Sequence, residues 1–231
     1  MNKKCLVLFS GTGSIEKVME KHGWKCRGVD CNNYFKPYYN VDILTWDYKK
    51  ALKDFIPQYI HASPVCKFFS TMRNQHFTHD KKDGFILFKK MLEIINYCKE
   101  LNPHIKVTIE NPVNKTTNGI DLEGYRKLKT SYCKYGYKYM KKTYFWYSGF
   151  DLKLKPVCCK KDCCELSKKT GRHPVIIGYK PPVKYTDEQM LDWKWFIILR
   201  KTIPEYSNYN NERYFRYRIP EGLVEDIHNC I

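Results

Sequence analysis

A short apolar strand, a glycine-rich turn and an amphipathic helix open the chain, and this order constrains the fold more than any other feature. The apolar run Lys4–Phe9 suits a buried parallel strand. The turn 10–14, with the sequence SGTGS, follows it, and apolar residues then recur at helical spacing at Ile15, Val18 and Met19. Glycines let a backbone approach a ligand, and a helix N-terminus favours a negative group. The order predicts a nucleotide-type cofactor site in an α/β sheet.

The residues around this turn distinguish between cofactors. An NAD-binding pattern has a third glycine where this chain has Glu16, which disfavours NAD. A small-residue turn without that glycine suits S-adenosylmethionine, whose carboxylate can take the helix N-terminus. The second strand ends in Asp30, where an acid accepts both ribose hydroxyl protons; a helix-capping aspartate is the alternative. Asp42 would accept from an adenine amino group, with Ile43 against the ring.

A buried strand beginning at Tyr59 is expected to end at Pro64. Proline fixes its own φ, lacks an N–H and pushes the preceding residue toward extended geometry. Cys66 would then lie in a loop at the carboxyl end of the strand, where open α/β sheets bind their ligands. This position favours a nucleophilic cysteine. The alternative is a structural thiol, because free cysteine is among the most buried residue types.

Later segments complete an α/β pattern. Apolar residues recur at helical spacing between Asp80 and Leu101, and the next strand, Ile105–Glu110, closes in an acid. Val41–Leu44 is a brief third strand or a turn. The remaining predicted elements are a short helix, two strands and a last helix: Leu122–Leu128, Ser131–Tyr139, Thr143–Ser148 and Pro220–Ile227. Together these elements predict a mostly parallel sheet flanked by helices.

The charge is strongly positive. The 231 residues contain 41 Lys and Arg against 24 Asp and Glu, a formal net charge of +17, and 16% are aromatic. Cations suit phosphates and aromatic rings stack on unpaired bases, so the composition favours a nucleic acid partner. A lysine-rich proteome is the alternative explanation. The length suits one domain plus a small appendage.

Cysteine usage and hydropathy indicate a soluble, intracellular, reduced protein without a membrane segment. The chain has 11 cysteines but is too long for a disulfide mini-scaffold, and no secretory signal is expected at its start. The late aliphatic run Phe196–Leu199 is far too short to span a membrane. Cys159 and Cys163 with His173, plus Cys158 or Cys164, would supply four zinc ligands. Free thiols are the alternative for this cluster.

In this order, at the ends of predicted strands, the motifs resemble those of the DNA (cytosine-5) methyltransferases. The small versions carried by bacteriophages and large DNA viruses are the most similar. The family's Phe-x-Gly-x-Gly turn is matched by 9–13, its Pro-Cys loop by 64–66 with Phe69-Ser70, and its Glu-Asn dipeptide by Glu110 and Asn111. The resemblance covers residues 4–150, and more loosely 156–178 and 216–227. It implies a Rossmann-like fold that uses S-adenosylmethionine.

The resemblance also implies two sets of site residues. The catalytic set is Cys66, Glu110, Asn111, Lys141 and Thr143, and the cofactor-binding set is Phe9, Ser10, Gly11, Thr12, Gly13, Asp30, Asp42, Ile43 and Pro64. The chain departs from the family in three places. Val65 replaces a second proline, and Pro112 replaces the commoner valine. The Gln-x-Arg-x-Arg strand aligns with 139–143, where neither arginine is kept, and lysine lacks the bidentate geometry of arginine.

The implied reaction methylates C5 of cytosine in DNA. The Cys66 thiolate would add at C6 while Glu110, holding a proton, protonates N3, which makes C5 nucleophilic. A base inside a duplex is out of reach, so it must be flipped out. A catalytically inactive DNA-binding relative is one alternative. The same chemistry on RNA or a free nucleotide is another.

Three regions follow from the resemblance. Residues 1–150 would form the S-adenosylmethionine-binding catalytic domain. Residues 151–215 would form a small Cys-rich, basic region that resembles a target-recognition domain, and 216–231 a C-terminal helix that returns to the catalytic domain. For a viral protein the expected compartment is the host cytoplasm or nucleus.

Overall fold

The computed structural model describes residues 3–65, 81–137, 140–157 and 218–231. The predicted nucleophile Cys66 lies outside these residues, as do all the predicted zinc ligands. The predicted division into three regions stays a prediction.

A seven-stranded, mostly parallel sheet forms the centre of the described structure, in the order β3-β2-β1-β4-β5-β7-β6. The five strands β1 to β5 run parallel, and β7 and β6 are antiparallel additions at the β5 edge. The strands are β1 Lys4–Leu8, β2 Lys25–Asp30, β3 Tyr39–Asn40, β4 Tyr59–Ala62, β5 Lys106–Pro112, β6 Arg126–Ser131 and β7 Lys142–Ser148. This confirms the predicted fold class.

Helices cover both faces of this sheet. They are α1 Ser14–Lys21, α2 Tyr48–Leu52, α3 Lys81–Leu101, α4 Lys115–Asn118 and α5 Glu221–His228, with 3₁₀ turns at Asn33–Phe35 and Tyr132–Tyr135. No helix in the described ranges is long and apolar enough to cross a bilayer.

Side chains that alternate along the strands feed two hydrophobic cores. On one face, Leu6, Ile60 and Val107 pack with residues of α3 such as Met91 and Ile94. On the other face the core joins the sheet to α1 and α5: Val7, Tyr59, Phe145, Met19, Leu223 and Ile227. Strands buried on both faces are nearly continuous apolar runs, which is why β1 and β4 were visible in the sequence.

The predicted short helix Leu122–Leu128 is wrong. Gly124 has φ +76°, a turn conformation that favours glycine, and the chain then enters β6. β6 pairs antiparallel with β7, placing Lys127 opposite Trp146. The Lys127 ammonium lies 4.2 Å from the ring centroid of Tyr144. Strand pairing and these cation–π contacts outweigh the helix-like spacing of the two leucines.

Two predicted strands have different bounds. The segment Ser131–Tyr139 leaves the sheet at Ser131, and a 3₁₀ turn follows that ends at Gly136 with φ +85°. The third strand is Tyr39–Asn40 rather than Val41–Leu44. The latter segment is a turn, because Asp42 Oδ1 accepts a hydrogen bond from Leu44 N at 2.9 Å.

The last helix, α5, packs against α1. It begins after Pro220, and its residues Leu223, Val224 and Ile227 are fully buried. Lys21 of α1 forms an ion pair with Glu221 at 2.5 Å. The chain end is thereby held on the face of the sheet that carries the glycine-rich turn.

Candidate active site

The turn after β1 has an unusual backbone. Phe9 has φ +58°, Gly11 φ +53° and Gly13 φ +68°. A positive φ is rare for a non-glycine residue, and such strained positions concentrate at functional sites. The turn leads directly into α1, whose N-terminus has no side-chain cap. The N-terminus of α1 therefore lacks a capping side chain at Gly13, and a helix N-terminus favours an anionic group.

Asp30, at the end of β2, holds this turn in place. Its Oδ2 accepts a hydrogen bond from Gly11 N at 2.9 Å, and its Oδ1 accepts from Asn32 N at 2.8 Å. Neither amide belongs to a helix, and the following 3₁₀ turn is capped by Asn32, so the helix-capping alternative does not describe these contacts. Each carboxylate oxygen can accept more than one hydrogen bond, so Asp30 retains capacity for hydroxyl groups.

Glu16 packs where a dinucleotide-binding helix would have its third glycine. A Cβ built on Gly28 of β2 would lie 2.3 Å from Glu16 Oε1 and 2.7 Å from Ser10 Oγ. The close approach of helix and strand is thus made possible by a glycine on the strand instead of the helix. Burial raises the pKa of Glu16 to about 7.

The residues predicted to contact adenine are placed differently from each other. Ile43 is buried in the core with Trp46 and Leu52. Asp42 stays partly exposed, and its Oδ1 accepts a hydrogen bond from the Leu44 amide.

Thr12, in the glycine-rich turn, is buried, and its hydroxyl lies 2.7 Å from Ser14 Oγ. This buried hydrogen bond between Thr12 and Ser14 therefore stabilises the glycine-rich turn.

Glu110 lies at the carboxyl end of β5 in a nearly dry environment. It is 5% exposed, and its Oε1 accepts a hydrogen bond from the Tyr132 hydroxyl at 3.0 Å. Lys141 Nζ lies 3.3 Å from the same oxygen and 3.3 Å from the Tyr132 hydroxyl. The carboxyl group is thus held by two donors, one from the 3₁₀ turn and one from the segment before β7.

Two further predicted residues extend this cluster. Asn111 Nδ2 donates to the carbonyl oxygen of Pro64 at 3.0 Å, which ties the end of β5 to the residue after β4. Within the described part of the chain, Asn111 Oδ1 and Thr143 Oγ1 are buried and have no hydrogen-bond partner. Buried polar atoms are normally paired, so these two are free to bind a polar ligand.

The register of the sheet brings both halves of the site to one edge. Leu8 pairs with Ala62, and Ala62 pairs with Ile109. The next residues along these strands, Phe9, Ser63 and Glu110, therefore lie at the same height across the sheet. The strand order reverses between β1 and β4, and ligands bind at such switch points in open α/β sheets. Phe9 of the glycine-rich turn, Glu110 and Asn111 thus follow at this edge of the sheet, Ile43 lies in the core, and Cys66 lies outside the described residues.

A buried row of polar groups runs along the sheet to this crevice. The Tyr59 hydroxyl lies 2.7 Å from Thr108 Oγ1, which lies 2.8 Å from His61 Nδ1. His61 Nε2 lies 2.9 Å from Ser63 Oγ. Burial lowers the pKa of His61 to about 3, so the imidazole is neutral at pH 7.

Sequence reasoning missed Gly28, His61 and Tyr132. Gly28 was visible as an isolated glycine inside a strand, a pattern that indicates a close approach of another element. His61 sits in an apolar run, where a buried, hydrogen-bonded histidine has no distinguishing signal. The sequence predicts a continuous strand over Ser131–Tyr139, and this pattern gives no indication that Tyr132 lies in a 3₁₀ turn.

A protein of Frog virus 3 (isolate Goorha) is similar to this chain along nearly its whole length. The two are 28% identical over 242 residues, which cover 97% of this chain and 98% of the viral protein. That protein is named "Probable DNA (cytosine-5)-methyltransferase". The resemblance to the DNA (cytosine-5)-methyltransferases is confirmed. No protein-family model matches the chain.

Solved methyltransferase structures are also similar to this chain, though only over part of their length. A mutant of Spodoptera frugiperda DNMT2 has a TM-score of 0.44 and 16% identity, and it covers 68% of this chain. S. pombe Dnmt2 has a TM-score of 0.42 and 17% identity, and it covers 67% of this chain. The Entamoeba histolytica methyltransferase EhMeth has a TM-score of 0.44 and 14% identity, and it also covers 67% of this chain. The chain spans about half the length of these three proteins: 54%, 52% and 55%.

Proposed function

We propose that this chain transfers a methyl group from S-adenosylmethionine to C5 of cytosine in DNA, through a covalent bond between Cys66 and C6 of the base. The observation that carries the proposal is the meeting of two groups at one switch point. The glycine turn and Asp30 come from β1 and β2, and Glu110 and Asn111 come from β5 beside Pro64. The name of the Frog virus 3 relative supports the same reaction.

The residues of the turn fit the proposed cofactor. S-adenosylmethionine supplies an electrophilic methyl group when bound. The uncapped N-terminus of α1 suits its carboxylate, and Asp30 has acceptor capacity for ribose hydroxyls. A Cβ at Gly13 would meet no atom within 4 Å, so the turn has open space beside it.

Each catalytic residue has a distinct task in the proposed reaction. The Cys66 thiolate forms a bond to C6 while Glu110 gives a proton to N3, and C5 then takes the methyl group. Transfer of the C5 proton to water breaks the S–C6 bond and restores the C5–C6 double bond and the thiolate. The N3 proton returns to Glu110, and the cofactor leaves as S-adenosylhomocysteine. Tyr132 and Lys141 hold the Glu110 carboxyl, and the buried oxygens of Asn111 and Thr143 are acceptors for polar groups of the base.

The net charge of +17 supports a polynucleotide substrate over a free nucleotide, because each phosphate contact releases counterions. The flipped cytosine would enter the crevice between β4 and β5. We keep residues 151–215 as the proposed target-recognition region and the cysteines within it as proposed zinc ligands. Neither assignment is needed for the chemistry at Cys66.

Transfer of a labelled methyl group from S-adenosylmethionine tests the proposal. The purified chain is incubated with DNA, RNA and dCMP, and the product base is identified by mass spectrometry. We expect 5-methylcytosine in DNA. Label in RNA alone would transfer the same chemistry to that polymer, and DNA binding without transfer to any substrate would support the inactive alternative.

Replacing Asp30 with alanine is expected to weaken S-adenosylmethionine binding by about tenfold to a hundredfold. The change removes two hydrogen bonds to a charged group, and each is worth about 1.5–3 kcal/mol, although part of this loss falls on the free turn. Calorimetry on the purified variant measures the affinity. Asp54→Ala, an exposed aspartate after α2, is the matched control. Unchanged affinity in Asp30→Ala would show that the cofactor site is assigned wrongly.

A further inference from the structure

Three side chains at the junction of α1 and α5 form a cluster that the proposed reaction does not use. His22 Nε2 lies 2.7 Å from Glu225 Oε2, and the rings of His22 and His228 stack with centroids 3.8 Å apart and planes at 13°. One potential ligand atom from each of the three residues lies within 4.8 Å of the other two. The cluster joins two helices that are about 200 residues apart in the sequence.

Local geometry holds each member of this cluster. His22 caps the C-terminus of α1, and Gly23 follows it with φ +77°, a conformation that ends helices. Glu225 and His228 are three residues apart on α5 and therefore project from the same face. Residues of both helices pack in the same hydrophobic core, and this packing fixes the positions of the three side chains relative to one another.

The polar atoms of the cluster are incompletely satisfied. His228 Nδ1 is buried and has no hydrogen-bond partner within the described residues. An unprotonated imidazole nitrogen carries a lone pair in the plane of its ring, which makes histidine a common metal ligand. Lys3 lies over the Trp24 ring at 5.5 Å, and Lys21 is paired with Glu221.

We propose that His22, Glu225 and His228 bind a zinc-class transition metal ion, which ties the last helix to the first. Two imidazoles and one carboxylate suit Zn²⁺, whereas Mg²⁺ and Ca²⁺ prefer oxygen ligands. To bind the ion, the two imidazoles would rotate out of their stacked arrangement until both ring planes contain it, with each ligand atom at the usual distance of about 2.0–2.2 Å. Water would fill the fourth position. This proposed site shares no residue with the proposed zinc ligands among residues 158–173.

The ion would act on the fold through α5. That helix inserts Leu223, Val224 and Ile227 into the core beneath the cofactor turn. A metal that binds only the folded chain stabilises it in proportion to the logarithm of its concentration over the dissociation constant. At a free Zn²⁺ concentration about one hundred times that constant, we expect the melting temperature of the chelator-treated chain to rise by about 5–10 °C.

Cobalt titration of the full chain tests the proposal and separates this site from the cysteines. Cobalt bound to thiolates gives strong ultraviolet charge-transfer bands, whereas a histidine and carboxylate site gives only weak visible bands. We expect wild type to bind one more equivalent of Co²⁺ than His22→Gln or His228→Gln, with the lost equivalent lacking thiolate bands. His104→Gln changes an exposed histidine outside the cluster and should bind as wild type does.

Folding of the variants is followed by circular dichroism. Glu225→Gln is the mildest change, because glutamine can still accept the hydrogen bond from His22 while ligating the ion poorly. We expect it to keep the wild-type spectrum and to lose most of the zinc-dependent rise in melting temperature. Equal metal stoichiometry in wild type and all three variants would overturn the proposal, as would thiolate bands on the lost equivalent.

Discussion

A Cys66→Ala variant is expected to transfer no methyl group and to form no adduct with DNA that carries 5-fluorocytosine. The wild-type chain should be trapped on that DNA in the presence of S-adenosylmethionine, because fluorine at C5 cannot leave as a proton does. Without the thiol no bond to C6 forms, so C5 stays too electron-poor to attack the methyl donor. Denaturing electrophoresis of the mixture and mass spectrometry of the trapped peptide measure both outcomes.

The matched control for this variant is Cys230→Ala, which removes a partly buried thiol after α5, far in sequence from the site. It should keep both methyl transfer and trapping. Full methylation by Cys66→Ala would reject the covalent mechanism. Trapping of wild type through a different cysteine would place the nucleophile elsewhere.

Replacing Glu110 with glutamine is expected to slow methyl transfer by about 10²–10⁴-fold, the usual contribution of a general acid. Glutamine has nearly the same shape and can accept the Tyr132 hydrogen bond, but it has no carboxyl proton to give to N3. Single-turnover transfer to DNA measures the rate of the chemical step, and gel binding shows whether the substrate still enters. Unchanged single-turnover rates would remove Glu110 from the mechanism.

Tyr132→Phe separates the proton itself from the support of the carboxyl group. Phenylalanine keeps the packing of a side chain that is fully buried and removes only its hydroxyl. Glu110 becomes a carboxylate as it gives its proton to N3, and the loss of one hydrogen bond to that developing charge predicts a smaller decrease, of about tenfold to a hundredfold. A Tyr132→Phe effect as large as that of Glu110→Gln would mean that the hydroxyl takes part in proton transfer directly.

The strand-end positions of the site were predictable, because the carboxyl ends of parallel strands share one edge of a sheet. Asp30 and Glu110 each stand near the end of a predicted strand, and this was sufficient to expect them near the glycine-rich turn. No sequence period marks the 3₁₀ turn that brings Tyr132 to Glu110. The contact depends on β6 pairing with β7, a non-local event that overrides local spacing.

The Glu16 and Gly28 pair shows a second limit of motif reasoning. The missing third glycine disfavoured an NAD pattern in the sequence, but the motif lies on one helix and its compensation lies on the neighbouring strand. Only the packing of α1 against β2 shows that Gly28 makes the space that the Glu16 side chain fills. A substitution at Gly28 would therefore act on the cofactor turn through Glu16 and Ser10.

The buried row from Tyr59 to Ser63 has a single possible polarity. Tyr59 is fully buried and has no partner but Thr108 among the described residues, so its hydroxyl must donate rather than leave its hydrogen unpaired. Thr108 must then donate to His61 Nδ1, and His61 Nε2 must donate to Ser63. Every dipole in the row points the same way, and the last hydrogen, on Ser63, is left for the crevice. This end of β4 thereby presents a hydrogen-bond donor without carrying a charge, an environment that favours an anionic group bound at this edge of the sheet.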